Sequence, residues 1–452
     1  MLIESISGIR GTVGDSLTPF EIVNYAAAFG QWAGKGRVVL GRDSRVSGRE
    51  IADIFARTLQ WMGLHVIDIG IVPTPTVQLM TEKMHARGGI AITASHNPFP
   101  WNGIKFIDRT GLFLDADQVA AVLKNKEEGR WVFKPAGEFG GYRAEDNAIV
   151  EHVRDVLNIP YVNVEKIRAR RFKVVIDAVN GGGSLALPVL LRALGCKVIE
   201  INCVPDGNFP HTPEPLPENL TDMLKQIKEH KADIGMAVDP DADRLAVADE
   251  KGNYLSEEYT LVMAVDTVLS QCKRKDPKVV TNLSTTLAVT QVAEKYGAEV
   301  LRTAIGEINV AKKMRDVEAV IGGEGNGGII SPDSHLGRDS LVGAALVLNF
   351  LASDERPLSR KYAEFPLYRM SKKKTATGDH DPDHILAELR IKYADENTDT
   401  TDGLKISWED RWVHMRKSNT EPILRVYSEA PTAEDADALG ERFLTEIKKM
   451  ME

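Results

Sequence analysis

The chain has 452 residues, 43% hydrophobic and 27% charged, which is the balance of an ordinary soluble globular protein with about three domains and room for a fourth. Its net charge of −9, with basic residues spread along the chain, argues against nucleic acid as a partner, since phosphate backbones demand a basic surface. It leaves room for a small anion held by a local cluster of Arg and Lys. Cys196, Cys203 and Cys272 show neither metal-ligand spacing nor a disulfide framework. The start reads as no signal peptide and no apolar run is of bilayer length, so a cytoplasmic protein off the membrane is expected.

One pattern recurs three times: a β-branched strand, a polar or Gly-rich turn, a helix, a second strand, another helix and a third strand. The first copy opens at Arg37-Val38-Val39-Leu40, passes through a helix over 48–62 and a strand at 66–69, and ends at Gly89-Ile90-Ala91-Ile92-Thr93. The second opens at Lys173-Val174-Val175-Ile176-Asp177 and ends at Ile234-Gly235-Met236-Ala237-Val238. The third opens at Lys278-Val279-Val280-Thr281-Asn282 and ends at Ala319-Val320-Ile321-Gly322-Gly323. Alternating strands and helices predict α/β units with mixed, largely parallel sheets. Ligands of such sheets sit beyond the carboxyl ends of the strands, where each copy places its most unusual loop.

The loop of the first copy is Thr93-Ala94-Ser95-His96-Asn97-Pro98, with Lys105 a short way on. It carries no nucleophile elbow, and alone a Ser-Asn-Pro turn is commonplace; beside a metal, Ser95 could be a nucleophile or a phosphate carrier. The loop of the second copy is Asp239-Pro240-Asp241-Ala242-Asp243-Arg244. In extended backbone its three alternating carboxylates point one way, repel unless a cation neutralises them, and favour a hard ion such as Mg²⁺ over softer metals. The loop of the third copy, Gly322-Gly323-Glu324-Gly325-Asn326-Gly327-Gly328, lets backbone approach a ligand closely and offers Glu324 and Asn326 to sugar hydroxyls.

After a linker near Phe365-Pro366 the pattern changes. Strands at 403–408, 412–416 and 424–428 precede an amphipathic helix from about Ala433 to Met450, predicting a small α+β domain. Its loop Arg416-Lys417-Ser418-Asn419-Thr420-Glu421-Pro422, with Arg425 beyond, is dense in donors suited to phosphate. The division expected is 1–150, 151–253, 254–365 and 366–452.

Taken together and in this order, Thr-Ala-Ser-His-Asn-Pro, Asp-Pro-Asp-Ala-Asp-Arg and Ser-Asn-Thr-Glu-Pro resemble the α-D-phosphohexomutase family. So do Ser7-Gly8-Ile9-Arg10-Gly11-Thr12, Gly41-Arg42-Asp43-Ser44-Arg45 and Val72-Pro73-Thr74-Pro75, and the resemblance spans almost the whole chain. It implies four domains around a central cleft and an isomerase that interconverts hexose 6- and 1-phosphates through a hexose 1,6-bisphosphate. It implies a phosphorylated Ser95, which with Asp239, Asp241 and Asp243 would hold one Mg²⁺. Arg10, His96, Lys105 and Arg244 match positions lining the reacting phosphate, with Arg10 and Lys105 as candidates for proton handling. Glu324 and Asn326 match the sugar-reading positions, and Arg416, Ser418, Asn419, Thr420 and Arg425 those that hold the non-reacting phosphate. Many members read Gly-Glu-x-Ser-Gly-His in the sugar loop; here Asn326 and Gly328 replace the serine and the histidine, and His335 is the nearby candidate to substitute. The Thr-Ala-Ser form points toward phosphoglucosamine mutase, with phosphomannomutase or phosphoglucomutase as alternatives. A metal-dependent phosphatase and a non-catalytic sugar-phosphate sensor are the competing readings, and monomer and homodimer are equally compatible with the sequence.

Overall fold

The computed structural model describes residues 2–5, 8–418 and 423–451. The interior strands carry apolar side chains at consecutive positions: Ile234–Val238 and Gly88–Ile92 are buried at every residue. Such strands need cover on both faces, and a parallel sheet between helices provides it. The three copies build three sheets with one strand order. In the first, His65–Ile71, Arg37–Arg42, Gly88–Ile92 and Trp101–Asp108 lie side by side. In the second the order is Lys197–Ile201, Lys173–Asp177, Ile234–Val238, Leu245–Asp249, and in the third Glu299–Thr303, Lys278–Asn282, Ile321–Glu324, Gly328–Ile330. The first three strands of each set run parallel, and the fourth returns antiparallel. The first sheet is widened by Ile3–Ser5, Gly8–Thr12 and Tyr142–Ala144.

The antiparallel fourth strand is an addition to the repeat read from the sequence. It means that the Ser95, aspartate and glycine loops are the same structural part: the turn of the hairpin between third and fourth strands. The second and third units share one apolar core. Through it runs the helix Ser340–Leu351, buried at all 12 residues, as expected of a helix apolar all round.

The C-terminal unit is a five-stranded antiparallel sheet in the order Arg369–Ala376, Ile423–Ala430, Trp412–Lys417, Leu404–Ser407, Asn397–Asp399. The helices Pro382–Lys392 and Ala433–Met450 pack on it through Leu389, Phe443 and Ile447. Arg369–Ala376 escaped the sequence reading because its lysines mimic a solvated segment; they are the charges expected on an edge strand. No helix among the described residues is long and apolar enough to cross a membrane.

Asp339 caps the buried helix. Its Oδ1 accepts the Leu341 and Val342 N–H groups at 2.8 and 3.3 Å, and its Oδ2 meets His152 Nε2 at 2.7 Å and His335 Nε2 at 3.1 Å. Asp339→Ala would remove the buried carboxylate and leave the Leu341 and Val342 N–H groups and the two imidazoles without it, and should cost roughly 3 kcal/mol. The same change at the exposed cap Asp381 should cost about 1 kcal/mol; urea-denaturation midpoints of the two variants check the contrast.

Candidate active site

Ser95 follows the strand Gly88–Ile92 in a strained turn. Its φ of +50° lies in the left-handed region, which costs a residue with a Cβ roughly 1–2 kcal/mol. Arg45, 3% exposed, holds the turn. Its guanidinium donates to the carbonyls of Ser95 (2.7 Å), Asn97 (2.6 Å), Pro98 (3.0 Å) and Trp101 (2.9 Å), and its Nε to Asp43 at 3.1 Å. Thr93 Oγ1 donates to the same Asp43 and accepts the Ser95 N–H at 2.9 Å. The hydroxyl is thereby aimed across a domain boundary: Ser95 Oγ donates to Asp239 Oδ2 at 3.1 Å and lies 3.3 Å from His96 Nδ1.

Asp239, Asp241 and Asp243 are fully buried, and one ligand oxygen from each lies within 4.8 Å of the others. They converge through a tight turn and not through extended backbone: Ala242 sits at φ +50° and its N–H reaches the Asp239 carbonyl at 2.9 Å. Asp239 Oδ1 accepts the N–H groups of Asp243 and Arg244. Asp241 Oδ2 accepts from Thr74 Oγ1 at 2.7 Å and Lys105 Nζ at 2.6 Å. Asp243 Oδ2 accepts from Arg338 at 2.6 Å and Lys105 at 3.3 Å. Burial and the neighbouring carboxylates push Asp239 well up. Burial would also raise Asp241, but Lys105 outweighs it and holds that carboxyl below its usual range. Burial would lower Lys105, and the two aspartates outweigh that in turn. Asp241 Oδ1 and Asp243 Oδ1 are buried without a hydrogen-bond partner. Two orphaned anionic oxygens beside a third carboxylate, with no Cys or His among them, fit a hard divalent cation.

In front of this cluster lies a cavity of about 410 Å³ walled by all four units. Arg10, His96 and Lys105 come from the first and Arg244 from the second. Arg10 donates to Asn97 Oδ1 at 3.0 Å. Burial, then the charges of Arg244 and Arg10, push His96 down to about 2, so its imidazole is neutral. The Arg244 Nε is buried without a hydrogen-bond partner.

From the third unit, Glu324 and Asn326 both face the cavity. Glu324 Oε1 accepts from Asn282 Nδ2 (2.8 Å) and the Gly306 N–H (3.0 Å), and Oε2 from Arg338 (2.7 Å). Burial would raise Glu324, but Arg338, Asn282, the Gly306 N–H and Arg244 together outweigh it and hold the carboxyl below its usual range. Gly325 has to be glycine, because a Cβ there would run into the Glu258 carboxylate.

From the C-terminal unit, Arg416 and Arg425 stand opposite each other on paired strands, and both line the cavity with Lys372 and Tyr427. Ser418 lies at the strand end, its N–H on the Ile423 carbonyl at 3.0 Å, and is not part of the cavity wall. Asn419 and Thr420 lie outside the described residues.

His335 does not reach the sugar loop. It is 4% exposed, turned into the interior with its Nε2 on Asp339 and its ring 6.0 Å from that of His152. The side chain over Gly328 is Arg338. Arg338, Glu307, Lys372, Thr74 and Arg45 were not singled out by sequence reasoning. Thr74 and Arg45 stood inside quoted motifs, while Lys372 was hidden in a lysine run.

Residues 3–132, 150–252 and 256–368 match the phosphoglucomutase/phosphomannomutase alpha/beta/alpha domains I, II and III, and residues 369–446 match the C-terminal domain of that family. A phosphoglucomutase/phosphomannomutase from Thermococcus kodakarensis is 39% identical over 98% of this chain and 98% of its own. A probable phosphoglucosamine mutase from Methanopyrus kandleri is 35% identical over 99% of this chain and 98% of its own. The crystal structure of a phosphoglucomutase/phosphomannomutase family protein from Burkholderia thailandensis superposes with a TM-score of 0.87 at 28% identity, covering 100% of this chain and 98% of that one. Four domains in this order around a shared cleft define a phosphohexomutase, an isomerase that transfers phosphate within one molecule. The chain belongs to the phosphoglucomutase/phosphomannomutase family.

Arg45 generates a prediction about the loop. Arg45→Met removes a buried cation from Asp43 and four carbonyls and should cost roughly 3 kcal/mol. The exposed Arg49, 3.9 Å from Asp53, should change stability by no more than about 0.5 kcal/mol on the same substitution. Urea midpoints of the two variants test it.

Proposed function

We propose that this phosphohexomutase interconverts glucosamine 6-phosphate and glucosamine 1-phosphate, with Ser95 as the phosphate carrier and hexose 1,6-bisphosphate as the intermediate. The observation that carries the carrier role is the Ser95 hydroxyl, held at a strained turn against Asp239 of the carboxylate triad and buried beside a cavity walled by its neighbours His96, Lys105 and Arg244 and, from the fourth domain, by Arg416 and Arg425. The residues that would hold one Mg²⁺ are Asp239, Asp241, Asp243 and the phosphorylated Ser95, and the ion would neutralise charge on the transferring phosphoryl group.

The chain's own residues do the rest. The bond from phosphorus to Ser95 Oγ breaks as one forms to a sugar hydroxyl, and reversal from the other end of the turned bisphosphate returns a phosphoryl to Ser95. Lys105, kept charged by Asp241 and Asp243, and Arg10 and Arg244 offset negative charge on the moving group. The neutral His96, 3.3 Å from Ser95 Oγ, is a hydrogen-bonding neighbour of that oxygen and too weakly basic to hold its proton, so the proton leaving the attacking sugar hydroxyl ends on the Ser95 oxygen as the phosphoryl departs. Arg416 and Arg425 suit a bidentate grip on the distant phosphate, with Asn419, Thr420 and Ser418 completing that loop. Glu324 and Asn326 read the sugar. Two carboxylates support the amino sugar: the buried Glu324, and the partly exposed Glu257, which is held below its usual range by Lys372 and Tyr254 against the effect of desolvation. Both line the cavity and suit an ammonium group. The name of the Methanopyrus relative agrees with this reading, and that of the Thermococcus relative favours glucose or mannose instead.

Ser95→Ala should lower turnover by at least about 1,000-fold while leaving the melting temperature close to that of the parent; near-normal turnover removes Ser95 as carrier. Asp241→Ala should lose rate and Mg²⁺ stimulation together, and full Mg²⁺-stimulated activity in that variant removes the loop as the metal site. With a trace of bisphosphate, kcat/KM should be about tenfold or more higher for glucosamine 6-phosphate than for the glucose and mannose phosphates, a preference of roughly 1.4 kcal/mol. An equal or higher value for either of those sugars overturns the amino-sugar assignment.

A further inference from the structure

Arg338 leaves the turn before the helix Ser340–Leu351 and reaches the cavity wall with its side chain 10% exposed. Its three nitrogens serve three acids on three different elements. Nη2 lies 2.6 Å from Asp243 Oδ2 in the aspartate loop, Nη1 2.7 Å from Glu324 Oε2 in the sugar loop, and Nε 3.1 Å from Glu307 Oε2 at the start of the helix Glu307–Val317. Glu307 Oε1 in turn accepts from Gln78 Nε2 of the first domain at 2.9 Å. One planar fork therefore ties the aspartate loop to the sugar loop, and Glu307 fastens it to a third wall. The stem of the side chain lies across Gly328: a Cβ at that position would be 2.8 Å from Arg338 Cγ and closer still to Cδ. A side chain at 328 and Arg338 in this place exclude one another.

We propose that Arg338 is the positioning residue that sets hexose discrimination in this enzyme, by fixing the Glu324 carboxylate against the aspartate loop from the space that Gly328 leaves empty. The inference rests on the mutase reading of the same cleft. Glu324 Oε1 is held by Asn282 and Gly306, and Oε2 meets Asn326 Nδ2 only at 3.5 Å, so Arg338 at 2.7 Å is the stronger constraint on Oε2. A lysine keeps the charge and three donors but gathers them on one nitrogen, without the rigid fork that spreads Arg338 over Asp243, Glu324 and Glu307.

The test uses the full-length chain with Arg338→Lys, Arg338→Met, Gly328→Ala and the Gly328→Ala/Arg338→Met double variant. Titration calorimetry gives the affinities for glucosamine 6-phosphate, glucose 6-phosphate, mannose 6-phosphate and inorganic phosphate, with melting temperature recorded alongside. Expected are a loss of at least about tenfold for the preferred hexose phosphate, about 1.4 kcal/mol, ratios between hexoses that move toward one, and phosphate affinity within about twofold of the parent. Arg338→Lys should not restore discrimination. Gly328→Ala should reproduce the loss alone and add nothing to Arg338→Met, the non-additivity expected of residues in contact. Unchanged hexose ratios in Arg338→Lys overturn the proposal. So does a proportional loss for all four ligands with a fall in melting temperature, which marks a merely structural role, and so does simple additivity of Gly328→Ala with Arg338→Met. Turnover of the parent enzyme tests the mutase reading separately, because the binding ratios decide the role of Arg338 whether or not any hexose phosphate is converted.

Discussion

Three carboxylates on one short buried turn are the constraint around which the molecule is arranged. With oxygens within 4.8 Å of one another, each like-charged pair costs roughly 3–4 kcal/mol at an effective dielectric of about 20. The second domain supplies the charges and, through Arg244 3.8 Å from Asp243 Oδ1, only part of their compensation. Lys105 comes from the first domain and Arg338 from the third, and both reach Asp243 Oδ2. Thr74 and Ser95 add neutral donors from the first domain. The aspartate turn is therefore an electrostatic joint between three domains, and the two carboxylate oxygens left without partners mark where a metal ion would complete the balance.

This joint gives the repeated hairpin its meaning. The same turn, between a third parallel strand and an antiparallel fourth, carries Ser95, the aspartates and Glu324: Glu324, His96 and Arg244 line the cavity, and Ser95 and the aspartates are buried beside it. The fourth domain contributes cations on a flat antiparallel sheet instead. The cavity wall combines cations from all four domains with carboxylates, a lining suited to an anionic, hydroxylated ligand. The Lys372–Glu257 contact at 3.1 Å and the bond from the Ile305 N–H to Asp402 at 2.9 Å join the fourth domain to the third. The Leu287 N–H on Glu429 at 2.8 Å, Ser284 Oγ beside His414 Nδ1 at 2.8 Å and Lys405 Nζ on the Leu283 carbonyl at 2.6 Å add to that seam.

Much of this was legible in the sequence, for identifiable reasons. Parallel strands covered on both faces write themselves as apolar runs, so Lys173–Asp177 and Ile234–Val238 were visible at once, and the Ala433–Met450 helix has a clear amphipathic period. The chemistry was legible where it stood in contiguous motifs, as at Ser95 and Asp239–Asp243. Contacts made across the fold were not. Arg45 reads as one more surface charge until four carbonyls are seen around it. Arg338 reads as a loop arginine until Gly328 shows the space it needs. His335 looked like a replacement for a missing loop histidine because it is close in sequence, but the cap at Asp339 draws it into the interior. The Arg369–Ala376 strand was missed because an edge strand with three consecutive lysines has no core signature of its own.

The account depends most on covalent transfer through Ser95. Hexose 1,6-bisphosphate carrying a radioactive phosphorus, mixed with the dephosphorylated enzyme and Mg²⁺ and quenched within one turnover, should place label on the peptide that contains Ser95. A chase with unlabelled hexose phosphate should then carry that label into hexose bisphosphate and monophosphate. Label that passes only to inorganic phosphate, or product that becomes labelled while the Ser95 peptide stays cold, would contradict it.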